Sequence, residues 1–420
     1  MKKQHYDVVI IGGGMVGASL AMLLPDRLRI LVVESIALPL DSTLENYQPS
    51  YDARSTALSF GSAKILEQAG VWHVLSQYAQ TINDVHVSDR GHWGSTWMSD
   101  KSQQWQALGY VVENAWLGRS LLNQLQKKDH IEWCCPATVD GVTINISGAC
   151  VSVQQDSMQH EITASLAVVA DGATSTTCRM LGIHHNVEDY GHTAIVANVS
   201  TNQPHQGIAY ERFTESGPMA LLPLLAADNN SHRSALIWTL PQRQAEAVMQ
   251  LADDSFITEL QKRFGGWQGN FVTVGKRNAY PLKLSRSEEQ VRRHLVILGN
   301  AAHSLHPVAG QGFNLALRDV AVLAELVQQA LQNGQPIGEL GLLTEYVKRQ
   351  QADQYLTTIF SDVLPSLFSS RSLMLQAGRN VGLLGLELLP PLKSALMRFA
   401  AGIRYQTQME CENDTKKSGV

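Results

Sequence analysis

The N-terminal 34 residues contain the pattern that most restricts how this chain can fold. An apolar, β-branched run at residues 6–11 passes directly into the sequence GGGMVG, and a helical run followed by a second apolar run leads to Glu34. Strand, G-x-G-x-x-G, helix, strand and acid in this order are typical of a βαβ unit that binds a dinucleotide. The pattern therefore predicts an α/β fold built on a doubly wound parallel sheet.

Each part of this motif has a physical role in the prediction. Gly12 makes the tight turn, Gly14 lets the backbone approach a pyrophosphate, and Gly17 lets the helix pack closely on the strand. Glu34 can accept hydrogen bonds from both hydroxyls of a ribose. The unit alone fits NAD and FAD equally, and glycines that serve packing only are the alternative interpretation.

Two later stretches also follow apolar strands. Residues 166–175 read LAVVADGATS, a buried strand that ends in Asp171 and Gly172. Residues 299–314 read GNAAHSLHPVAGQGFN and lead into a helical run. Glycines at such a helix start allow close approach of a flat ligand, and the free N–H groups favour a negative charge. An ordinary strand-loop-helix turn is the alternative.

These stretches resemble the A-D-G-x-x-S and G-D-A-A-H-x-x-x-P-x-x-G-Q-G-x-N motifs of the aromatic-ring hydroxylases, a family of FAD-dependent monooxygenases. Asp319 matches the Asp that follows the second motif, whereas Asn300 stands where the family usually has Asp. The resemblance implies a Rossmann-like FAD-binding domain of the glutathione-reductase type, an antiparallel β-sheet domain for the substrate, and C-terminal helices. It implies cofactor contacts from Asp171, Gly172, Asn300, Gly310, Gln311, Gly312, Phe313 and Asn314.

The resemblance also assigns two arginines to the cofactor. Residues 51–58, YDARSTAL, are predicted to open a helix that ends near Gly70, and Arg54 resembles the family arginine that meets the FAD phosphates. A guanidinium suits a pyrophosphate because its donors form a planar fork. A solvated arginine at a helix start is the alternative. Arg119, in WLGRSLL, resembles the arginine of the family's R-x-x-L helix, which also touches FAD.

The family's reaction implies what the cofactor site should do. NAD(P)H reduces FAD, O2 forms a flavin C4a-hydroperoxide, and one oxygen atom passes to an electron-rich phenol ring. By this resemblance the helix start at Gly312 stabilises the reduced flavin, and the carbonyl of Pro307 shapes the oxygen-transfer site. His303 and His306 are either proton donors or packed loop histidines.

Alternating apolar and polar residues in five runs between residues 192 and 277 predict an antiparallel sheet in the second part of the chain. We expect the following division: an FAD-binding domain at residues 1–80, 105–183 and 285–330, a substrate-binding sheet at 81–104 and 184–284, a helical region at 331–404, and a disordered tail at 405–420.

Shorter stretches narrow the resemblance. They read VHVSDRGH from residue 85, ERFT from Glu211, GKRNAYPL from residue 275 and GRNVGL from residue 378. All are similar to the ubiquinone-biosynthesis hydroxylases, in particular to members that oxidise the ring carbon para to a phenol oxygen. The resemblance implies a polyprenylated phenol as the substrate.

Three other functions stay open at this point. The first is a sibling hydroxylase of the ubiquinone pathway that acts at another ring position. The second is a hydroxylase of a soluble aromatic acid, which would need an arginine of the substrate sheet, Arg212 or Arg233, to face the ring. The third is a prenyl-binding escort protein of the same fold without redox chemistry, which the intact cofactor motifs disfavour.

Charge and composition restrict the partners. A net charge of -5 and a pI near 6.3 give no reason to expect nucleic acid. Five cysteines without a C-x-x-C pair or a zinc-like spacing favour a reducing cytoplasm and no metal. Residues 363–404, rich in Leu, Met and Phe, suit peripheral contact with the inner membrane or a core or dimer helix pair. We also expect association with other ubiquinone-biosynthesis enzymes.

Overall fold

A computed structural model describes most of the chain. The described residues are 4–37, 54–90, 95–99, 105–227, 232–304, 311–369 and 390–402.

Within these residues the strands, in chain order, are β1 (Gln4–Ile11), β2 (Ile30–Val33), β3 (Ser55–Ser59), β4 (Ala79–Ile82), β5 (Asp84–Asp89), β6 (Ser95–Ser99), β7 (Gly109–Glu113), β8 (Ile131–Cys134), β9 (Thr138–Asn145), β10 (Gly148–Gln155), β11 (Met158–Val169), β12 (His185–Thr201), β13 (Ile208–Thr214), β14 (Gly217–Pro223), β15 (Arg233–Pro241), β16 (Phe271–Val274), β17 (Asn278–Ser287), β18 (Val291–Arg292), β19 (Leu295–Ile297) and β20 (His303–Ser304). The α-helices are α1 (Met15–Leu23), α2 (Phe60–Gln68), α3 (Trp72–Leu75), α4 (Asn114–Leu125), α5 (Thr176–Met180), α6 (Gln242–Met249), α7 (Asp253–Phe264), α8 (Gln311–Gln332), α9 (Leu340–Ser369) and α10 (Pro390–Ala400).

The first sheet has the strand order β18-β19-β11-β1-β2-β8, with β9 and β10 attached to β11. Its neighbours from β19 to β8 are parallel. Along β1, Val8 and Ile10 face one core cluster, whereas Val9 and Ile11 face another. Strands with apolar residues on both faces are typical of a parallel sheet that is covered on both sides. The predicted doubly wound α/β architecture is therefore confirmed.

The second sheet has the order β20-β17-β12-β15-β14-β13-β5-β6, and β16 pairs with β12. Its pairs are antiparallel except for β13 and β5, which run parallel. Helices α6 and α7 pack on one face of this sheet, α6 through Ala245 and Val248 and α7 through Phe256, Leu260 and Phe264. We call this the outer face. The expected antiparallel sheet domain is confirmed, and residues 84–99 supply two of its strands.

A small third sheet, β3-β7-β4, lies between the two large ones. It corrects the prediction that residues 51–70 open with a helix, because residues 55–59 are a strand and the helix begins only at Phe60. Pairing of β3 with β7 outweighs the local helical preference of this stretch. Ser59 then caps α2 by accepting a hydrogen bond from the N–H of Ser62 at 3.2 Å.

The helical region after Asp319 begins with two long helices. Helix α8 ends at Gln332 and α9 begins at Leu340, with Gly334 at a φ of +67° in the turn between them. That backbone conformation suits glycine and ends the helix. Among the helices that the structure describes, none is long and apolar enough to cross a membrane. The expected tail at residues 405–420 lies outside the described residues.

The close packing of α1 on β1 predicts that one methyl group added at Gly17 strongly lowers the stability of the fold. A Cβ at Gly17 would lie 2.0 Å from the carbonyl oxygen of Gly12, whereas a Cβ at Gly341, on α9, has nothing within 4 Å. We expect Gly17→Ala to lower the free energy of unfolding by about 1–3 kcal/mol through overpacking. Gly341→Ala should leave it unchanged or raise it by up to about 1 kcal/mol, because alanine favours the helix. Denaturant unfolding of the FAD-free variants measures both, and equal effects would contradict the packing.

Candidate active site

The glycine turn after β1 lies in direct backbone contact with the end of β11. Gly12 has a φ of +102°, and a Cβ there would meet the carbonyl oxygen of Ala170 at 2.4 Å and Cα of Asp171 at 2.8 Å. The parallel pairing of β1 with β11 places the two strand ends side by side. The first and second sequence motifs therefore meet at one edge of the sheet.

The start of α1 leaves room for a ligand. Gly14 is the N-cap residue, and a Cβ built on it has no atom of the described residues within 4 Å. Glu34, at the end of β2, accepts a hydrogen bond from the N–H of Gly13 at 2.7 Å through Oε2. Its Oε1 accepts from the N–H of Ile36 at 2.9 Å. The carboxylate is thus fixed beside the turn, where a ribose would lie if a pyrophosphate occupied the open space.

Asp171 presents an acceptor that the described residues leave unused. Its Oδ2 accepts a hydrogen bond from the N–H of Thr177 at 3.2 Å, but its Oδ1 is buried and has no partner there. A buried acceptor without a partner is costly, so a bound donor would stabilise it. Gly172 follows with a φ of +90° and open space at its Cβ position.

The third motif lies at the start of α8. Asn300 is exposed in a short 3-10 helix, Gly299–Ala301, and Gln311 is buried. Gly312 has open space at its Cβ position, and Phe313 packs against the first core cluster. Among the described residues, the first turn of α8 therefore leaves room for a ligand at Gly312.

Asn314 uses its side chain for structure. Its Oδ1 accepts a hydrogen bond from the N–H of Ser59 at 2.8 Å, and its Nδ2 donates to the carbonyl of Ala57 at 2.8 Å. The amide thereby attaches the start of α8 to β3. A contact of Asn314 with a cofactor would come from its backbone.

His303 is a packed histidine in the structure. Its Nε2 lies 2.6 Å from Oδ2 of Asp319, and both side chains are buried. Oδ1 of Asp319 accepts a hydrogen bond from Gln354 of α9 at 3.1 Å. Burial raises the pKa of Tyr346 well above its usual value, and the charge of Asp319 raises it further. This cluster fastens the strand before residues 305–310 to α8 and α9.

The two predicted arginines lie on different elements. The guanidinium of Arg54 stands over the ring of Tyr280 on β17, 5.7 Å from its centroid, so it contacts the second sheet. Arg119 is half-buried on α4, which packs against α1. Pro307, Gly310 and His306 lie outside the described residues.

The face of the second sheet opposite α6 and α7 lies against the small third sheet. We call it the inner face. Ala209 and Ala235 of this face share a small apolar cluster with Ile82 of β4 and Val111 of β7. Tyr280 lies on it as well, because it pairs with Ala194, the neighbour of the outer-face residue Ile195. The inner face therefore lies against β4, β7 and Arg54.

These features fit FAD. The open space at Gly14, the fixed carboxylate of Glu34 and the unused Oδ1 of Asp171 match the pyrophosphate and hydroxyl groups of a dinucleotide. The sequence model of the family described as FAD binding domain matches residues 5–352. The chain belongs to this family.

Named relatives place this family member among the FAD-dependent monooxygenases. The chain is 32% identical to ubiquinone hydroxylase UbiL of Rhodospirillum rubrum, over 94% of this chain and 89% of that protein. It is 28% identical to 3-demethoxyubiquinol 3-hydroxylase of Escherichia coli, over 96% of this chain and 100% of that protein. The fold is similar to that of PqsL, a probable FAD-dependent monooxygenase from Pseudomonas aeruginosa, with a TM-score of 0.72 and 20% identity over 91% of this chain and 100% of that chain. FAD is the cofactor, and NAD(P)H and O2 fit the general reaction.

Sequence reasoning missed three features of the site. It named Asp319 without its partner His303, and it assigned Asn314 to the cofactor without its contact to β3. It also gave no role to Glu211, which lies on the inner face. Neighbouring residues of a strand point to opposite faces, so Glu211 and Tyr210 of β13 lie on different faces of the sheet. Only the packing of α7 against Tyr210 shows that the face of Tyr210 is the outer one.

The open space at Gly14 predicts a variant that folds but binds FAD more weakly. Gly14 has a φ of -65°, which alanine adopts without strain, so Gly14→Ala should change the unfolding midpoint of the FAD-free protein little. The added methyl group occupies the space for the pyrophosphate, and we expect FAD affinity to fall by about tenfold or more. Fluorescence titration of FAD-free protein measures the affinity. Unchanged affinity would show that the pyrophosphate does not pass over Gly14.

Proposed function

We propose that this monooxygenase hydroxylates 2-polyprenyl-6-methoxyphenol at the carbon para to the phenol oxygen, giving 2-polyprenyl-6-methoxy-1,4-benzoquinol. NAD(P)H supplies the electrons and O2 the oxygen atom. The stretches at residues 85–92 and 211–214 support this ring position by resemblance. The similarity to ubiquinone hydroxylase UbiL supports the pathway.

The observation that carries the proposal is a largely apolar, partly accessible row on the inner face. In sheet register this row comprises Val87, Glu211, Ala220, Ile237, Val196 and Asn278. We call it the central row. All but Ala220 are partly accessible, although the row crosses the middle of the sheet. An apolar surface open to an interior space suits an alkylated aromatic ring.

The chain's own groups have distinct tasks in this proposal. The turn at Gly12 and Gly14, together with Glu34 and Asp171, holds FAD, which when bound supplies the redox chemistry. The N-terminal N–H groups of α8 offer stabilisation to negative charge next to Gly312. The central row orients the ring and excludes water from it.

The inner face offers little to a soluble aromatic acid. Arg233 is fully buried, and its Nη2 donates to Oε1 of Glu113 on β7 at 2.9 Å. Arg212 lies on the outer face, where its Nη2 is 3.7 Å from a Cβ built on Gly265. Neither of these two arginines thus faces the central row, which favours a neutral phenol.

A second candidate is hydroxylation at another position of a ubiquinone-pathway ring. The similarity to 3-demethoxyubiquinol 3-hydroxylase of Escherichia coli supports it, because that relative aligns over its whole length. The escort-protein alternative requires a chain without redox chemistry and is disfavoured by the FAD binding domain match. For delivery of a polyprenyl substrate we propose that residues 363–404 contact the membrane surface peripherally, with other pathway enzymes as partners.

The quinone precursors of cells with and without this protein test the proposal. We expect 2-polyprenyl-6-methoxyphenol to accumulate on deletion, as measured by mass spectrometry of lipid extracts. The wild-type protein should clear it, whereas the Gly14→Ala variant should not. Accumulation of a different ring would move the assignment to the second candidate, and an unchanged profile would overturn the ubiquinone assignment.

A further inference from the structure

Glu211 is the one ionisable residue of the central row. It pairs with Val87 of β5 on one side and with Ala220 of β14 on the other. Ile237 and Val196 continue the row across β15 and β12. A carboxyl group therefore stands among aliphatic side chains in the middle of the inner face.

The rows beside the central row show that it borders a space. The row that contains Phe213, Pro218, Thr239 and Ala194 is buried, as is most of the row that contains Ala209 and Ala235. Glu211, Ile237 and Val196, between them, are partly accessible. Side chains at the middle of a covered sheet become accessible only where neighbouring elements leave a gap. Glu211 lies on this partly accessible row, and its carboxyl group is itself buried.

The surroundings of Glu211 favour its protonated form. Burial raises the pKa of Glu211 from 4.5 to about 8. Within the described part of the chain, no charged group or hydrogen-bond donor offsets this effect. A carboxyl group with such a pKa is typical of a general acid or base rather than of a structural ion pair.

Neighbouring charged groups have other partners. Arg212 and His86 are on the outer face, and Asp89, two residues from Val87 on β5, is buried on the inner face. Helix α9 packs against β13 and β14. Its Asp353 binds Arg318 at 2.6 Å, and its Arg349 binds Glu345 at 3.0 Å and Glu325 at 3.2 Å.

We propose that Glu211 is the catalytic base that binds the phenolic hydroxyl of the substrate and accepts its proton during hydroxylation. This assignment rests on the proposed function, since it requires a phenol on the inner face. It also explains why an otherwise apolar surface carries one carboxyl group without a partner among the described residues.

Glu211 takes up one proton and returns it in the course of hydroxylation. The O–H bond of the phenol breaks, its proton goes to a carboxylate oxygen of Glu211, and the electron pair stays on the phenol oxygen. That pair raises the electron density at the para carbon, which forms its C–O bond to one oxygen atom of O2 while the O–O bond breaks. The second oxygen atom leaves as water, and NAD(P)H is the two-electron reductant. The para carbon then loses its proton to solvent, and Glu211 returns its proton to the phenol oxygen.

The strength of Glu211 as a base suits this step. A phenol has a pKa of about 10, so an ordinary glutamate is too weak a base for it. A carboxyl whose pKa is about 8 holds a proton far more strongly and is still partly ionised at neutral pH. Proton transfer is most effective when the two pKa values lie close together.

The test compares FAD-loaded wild type with Glu211→Gln, using 2-geranyl-6-methoxyphenol as the substrate. Glu188→Gln, the same change at an exposed position of β12, is the control. For the wild type we expect kcat/KM to rise with pH through an apparent pKa near 8. In Glu211→Gln, kcat should fall by about 10²-fold or more, the rise should disappear, and KM should change little. Glu188→Gln should behave as the wild type does.

Other outcomes overturn the assignment. Unchanged kcat and pH profile in Glu211→Gln would remove Glu211 from the reaction, and a change in KM alone would reduce it to a binding contact. If wild type hydroxylates a demethoxyubiquinol ring instead, the proposed ring position fails, and the same comparison with that phenol tests Glu211. Turnover of neither phenol would overturn both proposals.

Two measurements do not depend on the activity of the variant. The methyl ether of the geranyl substrate has no phenolic proton. The wild type should bind this ether, which is measured as a change in flavin absorbance, but should not hydroxylate it. Between pH 4.5 and about 8, Glu211 is protonated in the folded wild type but ionised in the unfolded chain. The free energy of unfolding of the wild type, relative to that of Glu211→Gln, should therefore decrease as the pH rises through this window. Hydroxylation of the ether, or parallel stability curves, would contradict the assignment.

Discussion

The fold and the site both depend on the close backbone packing of the turn at Gly12. This turn is held between Gly17 of α1 and the end of β11 at Ala170, at distances that leave no room for a side chain. Because the two strand ends are fixed together, the first motif and Asp171 border the same space. The turn therefore joins a packing requirement of the parallel sheet to the geometry of a dinucleotide site.

The two faces of the antiparallel second sheet have different surroundings, and this difference decides which of its residues stay accessible. Helices α6 and α7 cover the outer face with an aromatic core, so the inner face is left for the cofactor domain. Arg233 and Glu113 form a buried ion pair across this boundary. Burial raises the pKa of Glu113, although the adjacent guanidinium of Arg233 lowers it. What remains accessible between these contacts is the central row with Glu211.

Much of the fold could be predicted from the sequence, because the periodicity of apolar residues and the spacing of the glycines are local features. The βαβ unit follows from spacing, and the strands of the second sheet follow from alternation. The strand at residues 55–59 could not be predicted, because it depends on pairing with β7 from a distant part of the chain. The face of Glu211, and the contact of Asn314 with β3, likewise depend on tertiary packing that no local pattern contains. The roles of Pro307 and Gly310 stay predictions.

The claim that this FAD-dependent monooxygenase acts on a phenol of ubiquinone biosynthesis has one most direct test. Purified, FAD-loaded protein is supplied with NAD(P)H, 2-geranyl-6-methoxyphenol and ¹⁸O2, and the product is examined by mass spectrometry and NMR. The account predicts a benzoquinol that carries one ¹⁸O atom on the carbon para to the original phenol oxygen. A product without ¹⁸O, or with the label at another carbon, would contradict it.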